Sequence, residues 1–159
     1  TLKEKKHTIL GTVKHQIKIL RNIGVIKYYG NIYMVDNKKY VPDSLSTSDK
    51  KKQIKSIKEG KDRPKLKSAP PTKRSSHVVA FEKKYGYKIN ELSKIYKNII
   101  SKTGVDKIID KGMGAYYSSG SRPNVSARQW AYARLASVIM NGGARKVDKD
   151  IWDKYKVWF

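Results

Sequence analysis

Cysteine is absent from all 159 residues, which excludes disulfides, thiolate metal ligands and cysteine nucleophiles. Histidine is nearly absent too. His7, His15 and His77 have no spacing suited to a metal site, so we expect neither a metal nor a cofactor. No apolar run approaches the roughly 20 residues that a helix needs to cross a bilayer. The start of the chain has no secretory leader pattern. The expectation is therefore a protein with no membrane partner that is not secreted. The chain begins at Thr1, without an initiator methionine; trimming, maturation and origin within a longer chain all stay open.

The scarcest class is acidic: 13 Asp and Glu stand against 36 Lys and Arg, a formal net charge of +23. That excess is well beyond what solubility requires. A genome poor in G and C would enrich Lys, Ile and Tyr together, but Glu has equally A-rich codons and would have risen beside Lys. The missing acids therefore point to a positive field, which draws in phosphate and releases condensed counterions. The expected partner is a polyanion, nucleic acid first, and not a small-molecule substrate.

The fold class expected is mainly α, with three zones. Residues 1–42 read as a short helix at 12–23 followed by a β-hairpin at 26–35 around Gly30-Asn31. A small helix packed on a hairpin is preferred, with the end of a winged helix as an alternative. Residues 43–75 read as a basic arm or linker, 11 basic to 3 acidic side chains over 49–74. Ser46 or Ser48 is placed to cap a helix that Gly60 ends. Beyond it, Pro64, Pro70 and Pro71 among lysines predict an extended arm or linker, either a solvated spacer or an arm lying on phosphate or on an acidic neighbouring protein.

Residues 76–159 read as a helical domain. Ser75 or Ser76 precedes a helix ending at Gly86, and Asn90 is placed to cap a second. Thr103-Gly104 opens a third over 105–111, which permits a helix-turn-helix but more simply a helical hairpin. Gly112, Gly114 and Gly120 with Ser118, Ser119 and Ser121 then predict a flexible loop. Its amides offer an anion nest at Ser118, Ser119, Gly120, Ser121 and Arg122, or else the glycines serve tight turns and Tyr116, Tyr117 and Trp130 pack the core. Ser126 and Gln129 form a capping box for the following helix. Trp130, Ala131, Leu135, Val138 and Ile139 share one side of it, and Gly142-Gly143 stops it.

Gly112-Met113-Gly114-Ala115-Tyr116-Tyr117-Ser118-Ser119-Gly120-Ser121-Arg122-Pro123-Asn124, then Trp130-Ala131-x-Ala133-Arg134-Leu135-Ala136-Ser137, Gly142-Gly143-x-Arg145-Lys146 and Val147-Asp148, resembles an uncharacterised domain encoded by large DNA viruses of algae and protists and by some phages. Val41-Pro42-x-x-Leu45-Ser46 and Lys50-Lys51-Lys52-Gln53 are similar to its upstream basic region, so the likeness spans about residues 40–151. Val125 and the aromatic end, 152–159, depart from the pattern. The resemblance implies a virus-particle setting, with synthesis in the host cytoplasm or nucleus and other capsid or virion proteins as partners.

The functional expectation is a virion structural protein, a minor capsid or internal component, that binds nucleic acid nonspecifically. The residues expected to do so are Lys50, Lys51, Lys52, Lys55, Lys58, Lys65, Lys67, Lys73, Arg74, Arg122, Arg145 and Lys146. A capsid cement protein without nucleic-acid contact is the alternative. A DNA-processing enzyme or helix-turn-helix regulator is weaker. Asp148, Asp150 and Asp153 suit a helix start better than a magnesium site, Ser118 and Ser119 have no neighbouring base, and no catalytic residue is assigned.

Overall fold

The structure, a computed structural model, describes residues 38–157. Seven helices lie among them: α1 Thr47–Glu59, α2 Ser76–Tyr85, α3 Leu92–Asn98, α4 Lys102–Ser119, α5 Ala127–Ile139, α6 Gly143–Val147 and α7 Lys149–Tyr155. Among the described residues the only β pairing is a single antiparallel bridge between Ile100 and Lys156. The mainly helical class holds. The helix expected at 12–23 and the hairpin expected at 26–35 lie outside the described residues.

The centre is a hairpin of α4 and α5. Along α4, Gly104, Val105, Ile108, Ile109, Gly112 and Tyr116 are buried, a stripe at three- and four-residue steps. The loop expected after residue 111 is therefore a continuation of this helix. The glycine that suggested a loop serves a close approach instead: a Cβ on Gly112 would lie 2.8 Å from the Ala131 Cα. Gly104 likewise sits inside the first turn, where a Cβ would meet Tyr155 at 2.5 Å. It lies within the helix and is not a turn between two helices, and the stretch expected at 105–111 is part of α4, which buries Val105, Ile108 and Ile109 against its neighbours.

Around this hairpin α2 packs on α5, and α7 crosses α4. Phe81 is fully buried beside Tyr85 and Tyr87, with ring centroids at 4.8 and 5.4 Å. Each such fully buried side chain contributes roughly 1.5–3 kcal/mol by leaving water. Ser126 and Gln129 form the expected capping box. Ser46 caps α1, and Gly60 and Gly86 end α1 and α2 in the left-handed conformation. At α3 the N-cap position falls on Glu91 and not on the expected Asn90, and no side chain caps the helix; the Glu91 carboxylate instead accepts from the Lys88 amide upstream, at 2.7 Å.

Part of the segment expected to be an extended arm is fastened to the domain: Arg63 and Leu66 are buried and Pro64, Ser68 and Ala69 half-buried, whereas Lys61, Asp62, Lys65, Lys67 and residues 70–74 are exposed. Residues 61–69 form a strap across the α4–α5 corner, and with Tyr40, Val41, Leu45 and Ile57 they bury Leu66 in a second, smaller apolar cluster. Polar side chains fasten it. The Asn124 amide donates to the Leu66 carbonyl at 3.0 Å and accepts from the Leu66 amide at 2.8 Å. Asp49 accepts from both the amide and the hydroxyl of Ser68. Proline and lysine in this stretch reduce apolar content, but they do not prevent cross-links of this kind.

Candidate nucleic-acid interface

Arg63 anchors the strap and is the basic residue that composition most disguises. Its guanidinium donates to the Tyr116 carbonyl at 2.7 Å, the Lys61 carbonyl at 2.6 Å and the Ser121 hydroxyl at 3.2 Å. It lies over the Tyr116 ring, 4.6 Å from the centroid. These partners are neutral. Burial lowers the Arg63 pKa, but a guanidinium stays charged. Tyr116 completes the joint: its hydroxyl accepts from the Arg63 amide and donates to the Val125 carbonyl, both at 2.9 Å.

This arrangement uses up the loop that was expected to hold an anion. Ser118 and Ser119 close α4, at the negative end of its dipole. Ser121 is fully buried: its hydroxyl serves Arg63 and the Arg122 carbonyl, and its own carbonyl accepts from Gln53. The expected nest is thus a helix end and a buried joint. Arg122 alone of that group points its charge outward, and it is exposed.

Arg122 lines a groove of ≈ 1080 Å³ between residues 70–78, which lead from the strap into α2, and the first turns of α5. Lys38, Lys39, Lys73 and Arg74 share its lining, and no acidic residue does. Pro70, Pro71, Pro123, Trp130 and Tyr132 supply apolar surface to the same lining, with Thr72, Ser75, Ser76 and Gln129 among them. Trp130, expected in the core, is only half-buried, set edge-on to Tyr40 at 6.0 Å. Burial raises the Tyr40 pKa, and Arg122 and Arg63 oppose the rise.

A second groove, ≈ 880 Å³, adjoins the first and shares Val125, Gln129 and Tyr132 with it. Its basic residues are Arg63, Lys65 and Arg128, and its one acid is Asp62. That carboxylate accepts from the Tyr117 hydroxyl at 2.7 Å. Together the two linings hold eight basic residues and one acid.

The expected binding residues thus separate. Lys65, Lys73, Arg74 and Arg122 come together along the grooves. Arg74 also forms a bidentate pair with Glu82 at 2.7 and 2.8 Å; the hydrogen bond raises the pKa of Arg74 and lowers that of Glu82. Lys51, Lys52, Lys55 and Lys58 are exposed on α1, Lys50 is half-buried there, and none lines a groove. Lys67 and Lys146 are exposed outside the grooves. Arg145 is structural: it donates to the Val138 and Ile139 carbonyls at 2.8 Å and stacks on Trp152 at 4.2 Å, closing α5.

Sequence reasoning missed Lys38, Lys39, Arg128, Trp130 and Tyr132 as groove residues. Two rings two residues apart, Trp130 and Tyr132, beside Arg128 at the start of α5 were the available signal. Asp148 is also accounted for: it is fully buried in a bidentate pair with Arg134 at 2.7 and 2.8 Å. Among the described residues no helix is long and apolar enough to cross a membrane, and no group of three or more His, Asp or Glu is placed to hold a metal ion.

No curated protein and no solved structure matches the chain. The described fold nevertheless coincides with a recognised unit, because a family model matches residues 37–154, from just before the second apolar cluster to the end of α7. The chain belongs to that family, a family of unknown function (DUF5824).

Proposed function

We propose that this protein is a non-catalytic structural component of a virus particle that binds nucleic acid without sequence specificity. The observation that carries the binding is the pair of joined grooves, lined by eight basic residues and one acid already held by Tyr117. Arg63 is buried in its joint, Arg74 pairs with Glu82 and Lys38 with Asp43, while Lys65, Lys73, Arg122 and Arg128 are exposed. Lysines on α1 and Lys67 on the strap add exposed positive charge outside the grooves. Groups suited to reading base edges are scarce. Gln129 is held in the capping box and Asn124 is bound to the Leu66 backbone. Backbone contacts position a nucleic acid but do not select a sequence.

The virus-particle setting rests on the resemblance of the 112–148 signature to virus-encoded proteins. Locating the protein in purified particles tests it, and absence from them would remove it. Binding is tested by titrating random-sequence duplex DNA at several salt concentrations. Neutralising about six phosphates gives a slope of log K against log salt of roughly −5. A flat response, or no binding near physiological salt, would overturn the reading and leave a protein-to-protein role such as cement.

A further inference from the structure

We infer that the joined grooves take a single strand of nucleic acid, with bases against Trp130 and Tyr132 and phosphates on the surrounding lysines and arginines. The inference rests on the nucleic-acid reading above and narrows its substrate. Charge alone would serve a duplex equally well, since a duplex offers its phosphates outward and keeps its bases stacked inside. Here the charge shares one recess with two aromatic rings and three prolines, Pro70, Pro71 and Pro123. Only unpaired bases can use such walls, because stacking on a ring needs an exposed π-face.

The placement of the two rings supports a track and not a point contact. At about 100° per residue on α5, Trp130 and Tyr132 border opposite sides of the strip formed by Gln129 and Ala133, and all four line the larger groove. Tyr132 also lines the smaller one, so it stands where the two meet. Both rings are held in place. Tyr40 packs edge-on to Trp130, and the Arg128 guanidinium lies 3.4 Å from the Tyr132 hydroxyl. Positive charge continues on both sides of this ridge, with Lys73, Arg74 and Arg122 in one groove and Lys65 and Arg128 in the other. A polyanionic chain that changes from one groove to the other passes Tyr132.

The test compares an unstructured oligothymidylate of about 12 nucleotides, within the usual reach of such grooves, with a random-sequence duplex of equal length at one salt concentration. Wild-type protein is expected to bind the single strand about 10-fold more tightly, the scale of one stacked base. Trp130→Leu, with folding checked by circular dichroism, is expected to erase that preference and leave duplex binding in place. In a Trp152→Phe, Trp158→Phe background, Trp130 fluorescence should be quenched by the single strand and not by the duplex, a readout that needs no change at Trp130. Equal affinities for the two ligands, a preference that survives in folded Trp130→Leu, or unquenched Trp130 would overturn the single-strand assignment while leaving nonspecific binding intact. Failure to bind either ligand would overturn both.

Discussion

The two apolar clusters are fastened by different means. The larger, beneath α2, α4, α5 and α7, joins aliphatic and aromatic side chains, with small residues where helices touch. The smaller, beneath the strap, buries only Val41, Leu45, Ile57 and Leu66 and relies on Arg63, Asn124 and Asp49 to hold it shut. Burial scales with apolar area, whereas a polar joint contributes mostly through the cost of leaving its groups unpaired. The first region should therefore fail as a whole and the second should open locally.

Breaking the larger cluster is expected to give the largest effect. Phe81→Ala removes a fully buried ring packed on Tyr85 and Tyr87 and should destabilise the domain by about 3–5 kcal/mol. Urea melts followed by circular dichroism measure this, and loss of helix signal should be cooperative. A change below about 1 kcal/mol would mean that α2 is peripheral, contrary to its packing on α5.

The contrast also explains what could be read in advance. Helix periodicity in α2 to α5 and the Ser126–Gln129 cap are local patterns, so the larger region was legible. Gly112 misled because a glycine in a helix and a glycine in a loop look alike; only Ala131, 19 residues away, distinguishes them. The strap was illegible for a related reason. Leu66 and Asn124 are 58 residues apart, and an asparagine that pairs with backbone leaves no hydrophobic signal. The grooves were half legible: Lys65, Lys73, Arg74 and Arg122 stood out, but the grouping of Lys73, Arg74 and Arg122 with Trp130 depends on how residues 70–78 lie against α5.

Opening the strap is the next effect in size. Arg63→Met keeps an apolar stem but removes the donors to the Tyr116 and Lys61 carbonyls and the Ser121 hydroxyl. Leaving such groups unpaired costs about 1–3 kcal/mol. The loss should be local: trypsin should gain access at Lys61, Lys65 and Lys67 in the variant, with α4 and α5 still folded. Wild-type protein should resist at the same sites. Cutting there in wild type would show the strap open without help and make Arg63 irrelevant to it.

The smallest effect expected is also the one with a pH signature. Asp49 sits in the first turn of α1, where Ser46 caps the helix, and its carboxylate accepts the amide and hydroxyl of Ser68. The Ser68 hydroxyl, then its amide, hold the Asp49 pKa below the ordinary aspartate value, with further help from Lys52 and Ser46 against the opposing effect of desolvation. A group with a lowered folded-state pKa stabilises fully once it is ionised in both states, above the unfolded value of about 4. That contribution falls as pH drops through the lowered value, where the folded protein must also take up the proton. Asp49→Asn should therefore weaken the strap near neutrality, and its deficit against wild type should shrink as the pH is taken below about 4. Glu82 and Glu91 are lowered as well, by Arg74 and Lys94, so the wild-type pH profile alone mixes several groups. The difference between the two proteins cancels those shared contributions. Protease accessibility of the strap, read for both proteins across pH with an acid-tolerant protease, gives that difference directly. A deficit that stays constant through the acidic range would mean that Asp49 acts by shape and not by charge.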